Sequence, residues 1–203
     1  MDSQTQEKAG QRQVNIYTES NPNPNSMKFV ANFMLVEEGK SFDFPDRESA
    51  KDAPLAFNLF ENFSFVDRVF YMNNFVTVTK SDQVEWDDAR LLISNYVKYH
   101  LEQNEPLLEK NRAVEEKPVT EDNGENGVII GKIKDVLDEY IKPAVEMDGG
   151  AITFDSFDDG VVKVLLQGSC SGCPSSTITL KAGIESLLKR AIPEVQSVEA
   201  KNV

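Results

Sequence analysis

Residues Ala113 to Gly127, AVEEKPVTEDNGENG, set the strongest limit on what this chain can fold into. They carry five acids against one lysine, with a proline, two glycines and almost no large apolar side chain. Such a stretch cannot bury enough surface to offset the entropy of ordering it, so it reads as an acidic flexible linker. The chain is thereby divided into residues 14–112 and residues 128–203, each of a size that folds alone. Residues 1–13 are polar and mixed in charge and read as a disordered tail.

Periodicity predicts α+β folds for both parts: two small α/β-sandwich domains. In the first, Asn21-Pro22-Asn23-Pro24-Asn25 is a stiff turn-forming segment. Met27 to Val36 alternates like a strand, with Phe29, Ala31, Phe33 and Leu35 on one face. Ala53 to Glu61 has the pattern of a short helix. Val66–Met72 and Phe75–Thr79 are β-rich runs around Asn73-Asn74, a hairpin signature because Asn tolerates positive φ. Asp87 to Leu101 reads as a helix with Leu91, Leu92, Asn95, Tyr96 and Tyr99 on one face.

In the second part, Val128 to Ile141 predicts a helix with Ile129, Ile133, Val136, Leu137 and Tyr140 inward, ended by Pro143. Met147-Asp148-Gly149-Gly150 is a turn needing unusual backbone angles. Two strands, Ala151–Phe157 and Val161–Gln167, flank the Asp158-Asp159-Gly160 turn. A helix over Pro174–Ile192 follows, with Leu180, Ile184, Leu187, Leu188 and Ala191 inward, and then a strand over Val195–Ala200.

The chemistry lies just before that last helix. Cys170 and Cys173 are the only cysteines, three apart in Gly168-Ser169-Cys170-Ser171-Gly172-Cys173-Pro174. Proline suits a first helical position, which puts Cys173 near the helix N-cap and Cys170 in the loop before it. The positive end of the helix dipole favours thiolate there, for ligation and nucleophilicity alike. Ser169, Ser171, Ser175 and Ser176 are candidate donors to sulfur. A closed zinc site or an iron–sulfur cluster generally takes four protein ligands, and one chain supplies two. Three readings remain at this point: dithiol–disulfide chemistry by the pair alone, zinc shared across a dimer, or a cluster shared by two chains.

GSCSGCPSSTITLKAGIESLLKRAIPEV, with the preceding IKPAVEMDGGAITF, resembles the C-terminal domain of the NifU-like (Nfu) iron–sulfur cluster proteins. TESNPNPNSMKFV, LAFNLF and NNFVTVTKSDQVEW resemble the Nfu N-terminal domain. Ala151 stands where the family often carries an acid, and Ser169 where alanine is usual. The resemblance implies a non-enzymatic scaffold or carrier. Cys170 and Cys173 of two chains would bind one bridging cluster, usually 4Fe-4S, as cofactor-binding and metal-ligating residues. The cluster then passes to apo iron–sulfur proteins, with upstream assembly proteins as the other partners and a homodimer as the loaded form. The alternative, a dithiol–disulfide oxidoreductase, uses the same pair.

Several further expectations are plainer. A net charge of −13 with no basic stripe argues against nucleic acid and anionic membranes. The N-terminus lacks an apolar signal stretch and the Arg-rich character of a transit peptide, which leads to a cytoplasmic expectation. His100, the one histidine, reads as a surface or helix-capping residue. Trp86, Phe42 and Phe44 read as core or loop-pinning groups, and Asp87-Asp88 and Asp158-Asp159 as a helix start and a turn.

Overall fold

The computed structural model describes residues 13–109, 125–171 and 174–202. The expected tail up to residue 12, the expected linker up to residue 124, Gly172 and Cys173 lie outside the described residues.

The first domain is an antiparallel sheet of five strands in the order β1-β2-β5-β4-β3. Its strands are β1 (Ile16–Ser20), β2 (Ser26–Ala31), β3 (Ser41–Phe44), β4 (Val66–Met72) and β5 (Phe75–Lys80). The β4–β5 hairpin turns on Asn73 at φ +48°, the left-handed geometry its sequence predicts. β2 is shorter than expected and ends at Ala31. Beyond it the chain bends, and the N–H groups of Leu35 and Val36 donate to the Asn73 carbonyl at the hairpin tip instead of extending the ladder. β3 had no sequence-level strand signal of its own. It buries Phe44 completely and Phe42 nearly so, as expected of core residues.

Two helices, α1 (Pro54–Asn62) and α2 (Trp86–Glu102), cover one face. α1 starts on Pro54, whose missing N–H costs nothing in a first turn. α2 is helical as expected but buries a different stripe: Ala89, Ile93, Val97, His100 and Leu101. Leu91, Leu92 and Tyr99 are more than half exposed. His100 is correspondingly buried, not on the surface, with Nδ1 3.2 Å from the Glu105 carboxylate. Burial pushes its pKa below the usual histidine value, against the opposing pull of Glu105.

The second domain is a three-stranded sheet in the order β6-β7-β8. β6 (Gly150–Asp158) and β7 (Val161–Gly168) are antiparallel, turning on Asp159 (φ +47°) and Gly160 (φ +79°). β8 (Ser197–Asn202) lies parallel to β7, reached through α5 (Pro174–Ala191) as parallel pairing requires. Ahead of the sheet run α3 (Glu125–Val136), a π-helical turn (Leu137–Ile141) and α4 (Lys142–Met147). Pro143 therefore does not end the helix. The widened π turn just before it accommodates the ring and the missing N–H, so the helical path continues to Met147. Ile133, Leu137 and Val145 point into the core with Ile184 and Leu188, whereas Tyr140 faces water. On α5 the buried stripe is Ile184 and Leu188, and Ala191 is exposed.

Candidate functional site

The cysteine loop leaves β7 at Gly168 and enters α5 at Pro174. Gly168 adopts φ +63°, a left-handed conformation that disfavours side chains. A Cβ there would also stand 2.8 Å from the Gly149 carbonyl and 2.9 Å from the Phe70 ring. Gly149, at φ +78°, forms the partner turn. At Gly150 a Cβ would lie 2.9 Å from Cys170 Sγ. The Asp148-Gly149-Gly150 turn is thus a wall of the cysteine loop, and its glycines are there for close approach as well as for φ.

Ser169 fixes the loop from three sides. Its N–H donates to the Gly149 carbonyl at 3.3 Å, its hydroxyl bonds the Asp148 carbonyl, and its own carbonyl accepts from Asn23 Nδ2 at 3.0 Å. The Ser171 N–H closes the turn onto the Gly168 carbonyl at 3.1 Å. Cys170 is 6% exposed and packs on the core of its domain, with Ser169 Oγ 3.8 Å from its sulfur. With its one proton given to the Asp148 carbonyl, Ser169 Oγ meets the sulfur as an acceptor and not as the donor the sequence suggested. The side chains of Ser175 and Ser176, and all of Cys173, are outside the described residues. The start of α5 at Pro174 places the positive end of a long helix beside the loop.

The first domain contributes what the sequence reading missed. Lys28 Nζ donates to the Met147 carbonyl at 3.2 Å, and Thr77 Oγ1 to the Gly149 carbonyl at 2.8 Å. Ser41 Oγ meets Gln167 Oε1 at 3.4 Å. Asp43, paired with Arg68, lies beside the Gly168 N–H. Burial dominates there and pushes the Asp43 carboxyl up to about 6, against the pull of Arg68 and the Gly168 N–H. Burial also raises the Asp148 carboxyl above its usual range, with Lys28 opposing. One available signal was the face opposite the first domain's core, where Val30, Phe70, Met72 and Phe75 are apolar although no helix of that domain covers them. Trp86 is not at the site; it lies on Phe29 and donates to the Pro24 carbonyl at 3.0 Å.

Among the described residues no group of three or more His, Cys, Asp or Glu side chains is arranged to hold a metal ion. His100, on α2, takes no part in the loop. No helix among the described residues is long and apolar enough to cross a membrane.

Comparison with known proteins matches two family models. Residues 16–104 match "Scaffold protein Nfu/NifU N terminal", and residues 133–199 match "NifU-like domain". An Arabidopsis thaliana protein, "NifU-like protein 4, mitochondrial", is 42% identical over 94% of this chain and 67% of its own length. A Drosophila willistoni protein, "NFU1 iron-sulfur cluster scaffold homolog, mitochondrial", is 38% identical over 94% of this chain. The chain spans 64% of that relative's length. A solution structure of a NifU-like protein from Saccharomyces cerevisiae has a TM-score of 0.45 at 26% identity, covering 50% of this chain and 89% of its own. The cytoplasmic expectation is overturned by these relatives, which are named mitochondrial. The composition of residues 1–13 was no guide to compartment in a chain that spans only part of the length of such proteins.

Proposed function

This chain belongs to the Nfu family of NifU-like proteins, and on that premise we propose that it carries an iron–sulfur cluster, of the 4Fe-4S type, and hands it to apo-proteins in the mitochondrion. Cys170 and Cys173 are its ligands, and two copies of the chain supply four thiolates to one cluster. The cluster is cargo, and the protein turns over no substrate. The observation that carries the reading is the loop itself. Cys170 stands just ahead of α5 on a loop fixed by two glycine turns, the chain's one other cysteine follows three positions later in the sequence, and the chain's relatives are named scaffolds.

The chain's own groups do three things in this reading. The thiolates bind iron. Ser169 donates its hydroxyl proton to the Asp148 carbonyl and so fixes the loop that carries the Cys170 sulfur, 3.8 Å from its Oγ. Gly149, Gly150 and Gly168 hold the loop in a conformation that side chains would spoil. Release follows from sharing: when two copies part, the cluster stays on one of them with two of its four thiolate bonds broken, and a client's thiolates take the vacated positions. The relatives' names give no support to the oxidoreductase alternative.

The test is ligand removal. Cys170→Ala and Cys173→Ala should each abolish uptake of iron and sulfide under anaerobic reconstitution, with circular dichroism unchanged. Full iron retention in either variant contradicts the assignment.

A further inference from the structure

A sheet with helices on one face ordinarily turns its other face to water. The five-stranded sheet does not. Strand alternation puts Val30, Phe70, Met72 and Phe75 opposite the face that α1 and α2 cover, yet each is at most 5% exposed. They form one apolar patch completed by Ala151 of β6, from the other domain. Around the patch, Asn23, Lys28 and Thr77 donate to the carbonyls of Ser169, Met147 and Gly149. All three acceptors lie in the two turns that frame Cys170.

The composition of this contact suits a joint that opens. The carbonyls it occupies would bond water in a free domain, so each hydrogen bond adds only a modest net gain. A small apolar patch ringed by a few hydrogen bonds, that of Lys28 from a charged donor, resembles interdomain contacts that permit relative motion. In this closed form the Ser169-Cys170-Ser171 segment is nearly inaccessible, at 2%, 6% and 4% exposed, with Ser169 held by Asn23 of the sheet's domain and Cys170 seated on its own domain's core. A sulfur so enclosed has no approach for a cluster whose other half sits on a second chain.

We propose that the outer face of the five-stranded sheet is a cap for the cysteine loop, which must lift before a second copy of this chain can meet Cys170. The proposal rests on the carrier reading for its purpose, but the cap itself is a property of the apo chain. Asn23, Lys28 and Thr77 are positioning residues of the closed form, and Ala151 is the small contact the patch accepts. A long charged side chain at 151 would be buried against phenyl rings without a partner, which drives the domains apart.

The experiment uses the full chain with Cys173→Ser, so that Cys170 is its single thiol. Ala151→Arg added to it should speed alkylation of the reduced protein by iodoacetamide about tenfold, because opening limits access in the parent. It should also raise the radius of gyration by small-angle scattering. Thr77→Val, which keeps the strand's shape, should do the same to a smaller extent and guards against a folding defect in the first variant. Equal alkylation rates and equal radii in parent and variants would overturn the cap. With both cysteines present, Ala151→Arg should take up iron and sulfide faster than the unsubstituted chain. Faster alkylation with no iron uptake in any variant would sink the carrier reading and leave the cap standing. Normal uptake with unchanged alkylation would do the reverse.

Discussion

The two faces of the five-stranded sheet are both buried, but by different means. The inner face holds Phe29, Phe44, Val69, Tyr71 and Val76, all 0% exposed, under the first domain's own helices. The outer face mixes Val30, Phe70 and Phe75 with Lys28, Asp43, Arg68 and Thr77, and a second domain covers it. An apolar face sealed within one domain makes a fold. A face that is half polar and answers a neighbour's backbone carbonyls makes a relation between domains, one that can be undone without unfolding either.

The largest effect that would sharpen this contrast is Phe44→Ala. Phe44 is wholly buried and edge-on to Tyr71 at 5.1 Å, so truncation should cost about 3–5 kcal/mol in denaturant unfolding. Phe75→Ala on the outer face should cost less than half of that, because undocking relieves the cavity. Equal losses would break the comparison.

Next comes Gly168→Ala, strained by φ +63° and by the Phe70 ring, with an expected loss of about 1–3 kcal/mol. Unchanged stability in the same assay would contradict the left-handed backbone and close packing at Gly168.

The outer face should also respond to pH. Asp43 has a folded pKa of about 6, above the unfolded value, so the folded state binds more protons between the two. Its unfavourable contribution is fully present above pH 6 and fades as pH falls through the folded pKa toward the unfolded one. Asp43→Asn should remove that gain on acidification, a change on the order of 1–3 kcal/mol in the pH dependence of stability. His100 works in the opposite direction. Its lowered folded pKa withdraws stability as pH falls through the ordinary histidine range, so Asp43→Asn should leave the His100 loss exposed. A variant with the parent's pH profile would contradict the buried placement of Asp43.

The smallest effect is a gain. Gly183 lies inside α5 with nothing within 4 Å of a would-be Cβ, so Gly183→Ala should stabilise by about 0.5–1 kcal/mol. A loss there would indicate that this stretch of α5 is covered by something else.

Local signals carried much of the fold. The Asn73-Asn74 and Asp159-Gly160 turns, the α5 start at Pro174 and the order of elements in the second domain followed from turn chemistry and periodicity. The reading failed where two patterns competed. On α2 the large residues Leu91, Leu92 and Tyr99 suggest one inward face, whereas the smaller stripe Ala89, Ile93, Val97 and Leu101 is the one buried. Size is a poor guide when a helix lies close on a sheet. Pro143 misled because a π turn can absorb it, and nothing local announces that turn. At the site, the spacing of the cysteines and the glycine turn were visible in the sequence. Asn23 and Thr77 were not, because their partners at Ser169 and Gly149 are 146 and 72 residues away. Contacts across domains leave only a faint trace in the alternation of a strand, here the apolar outer positions of β4 and β5.

The central claim, that two copies of the chain complete one cluster, is tested most directly by anaerobic reconstitution with iron and sulfide. Iron content and native mass are then read on the same sample. The account predicts a dimer with about two irons per chain. A loaded monomer, or a reduced protein that takes up no iron, would contradict it.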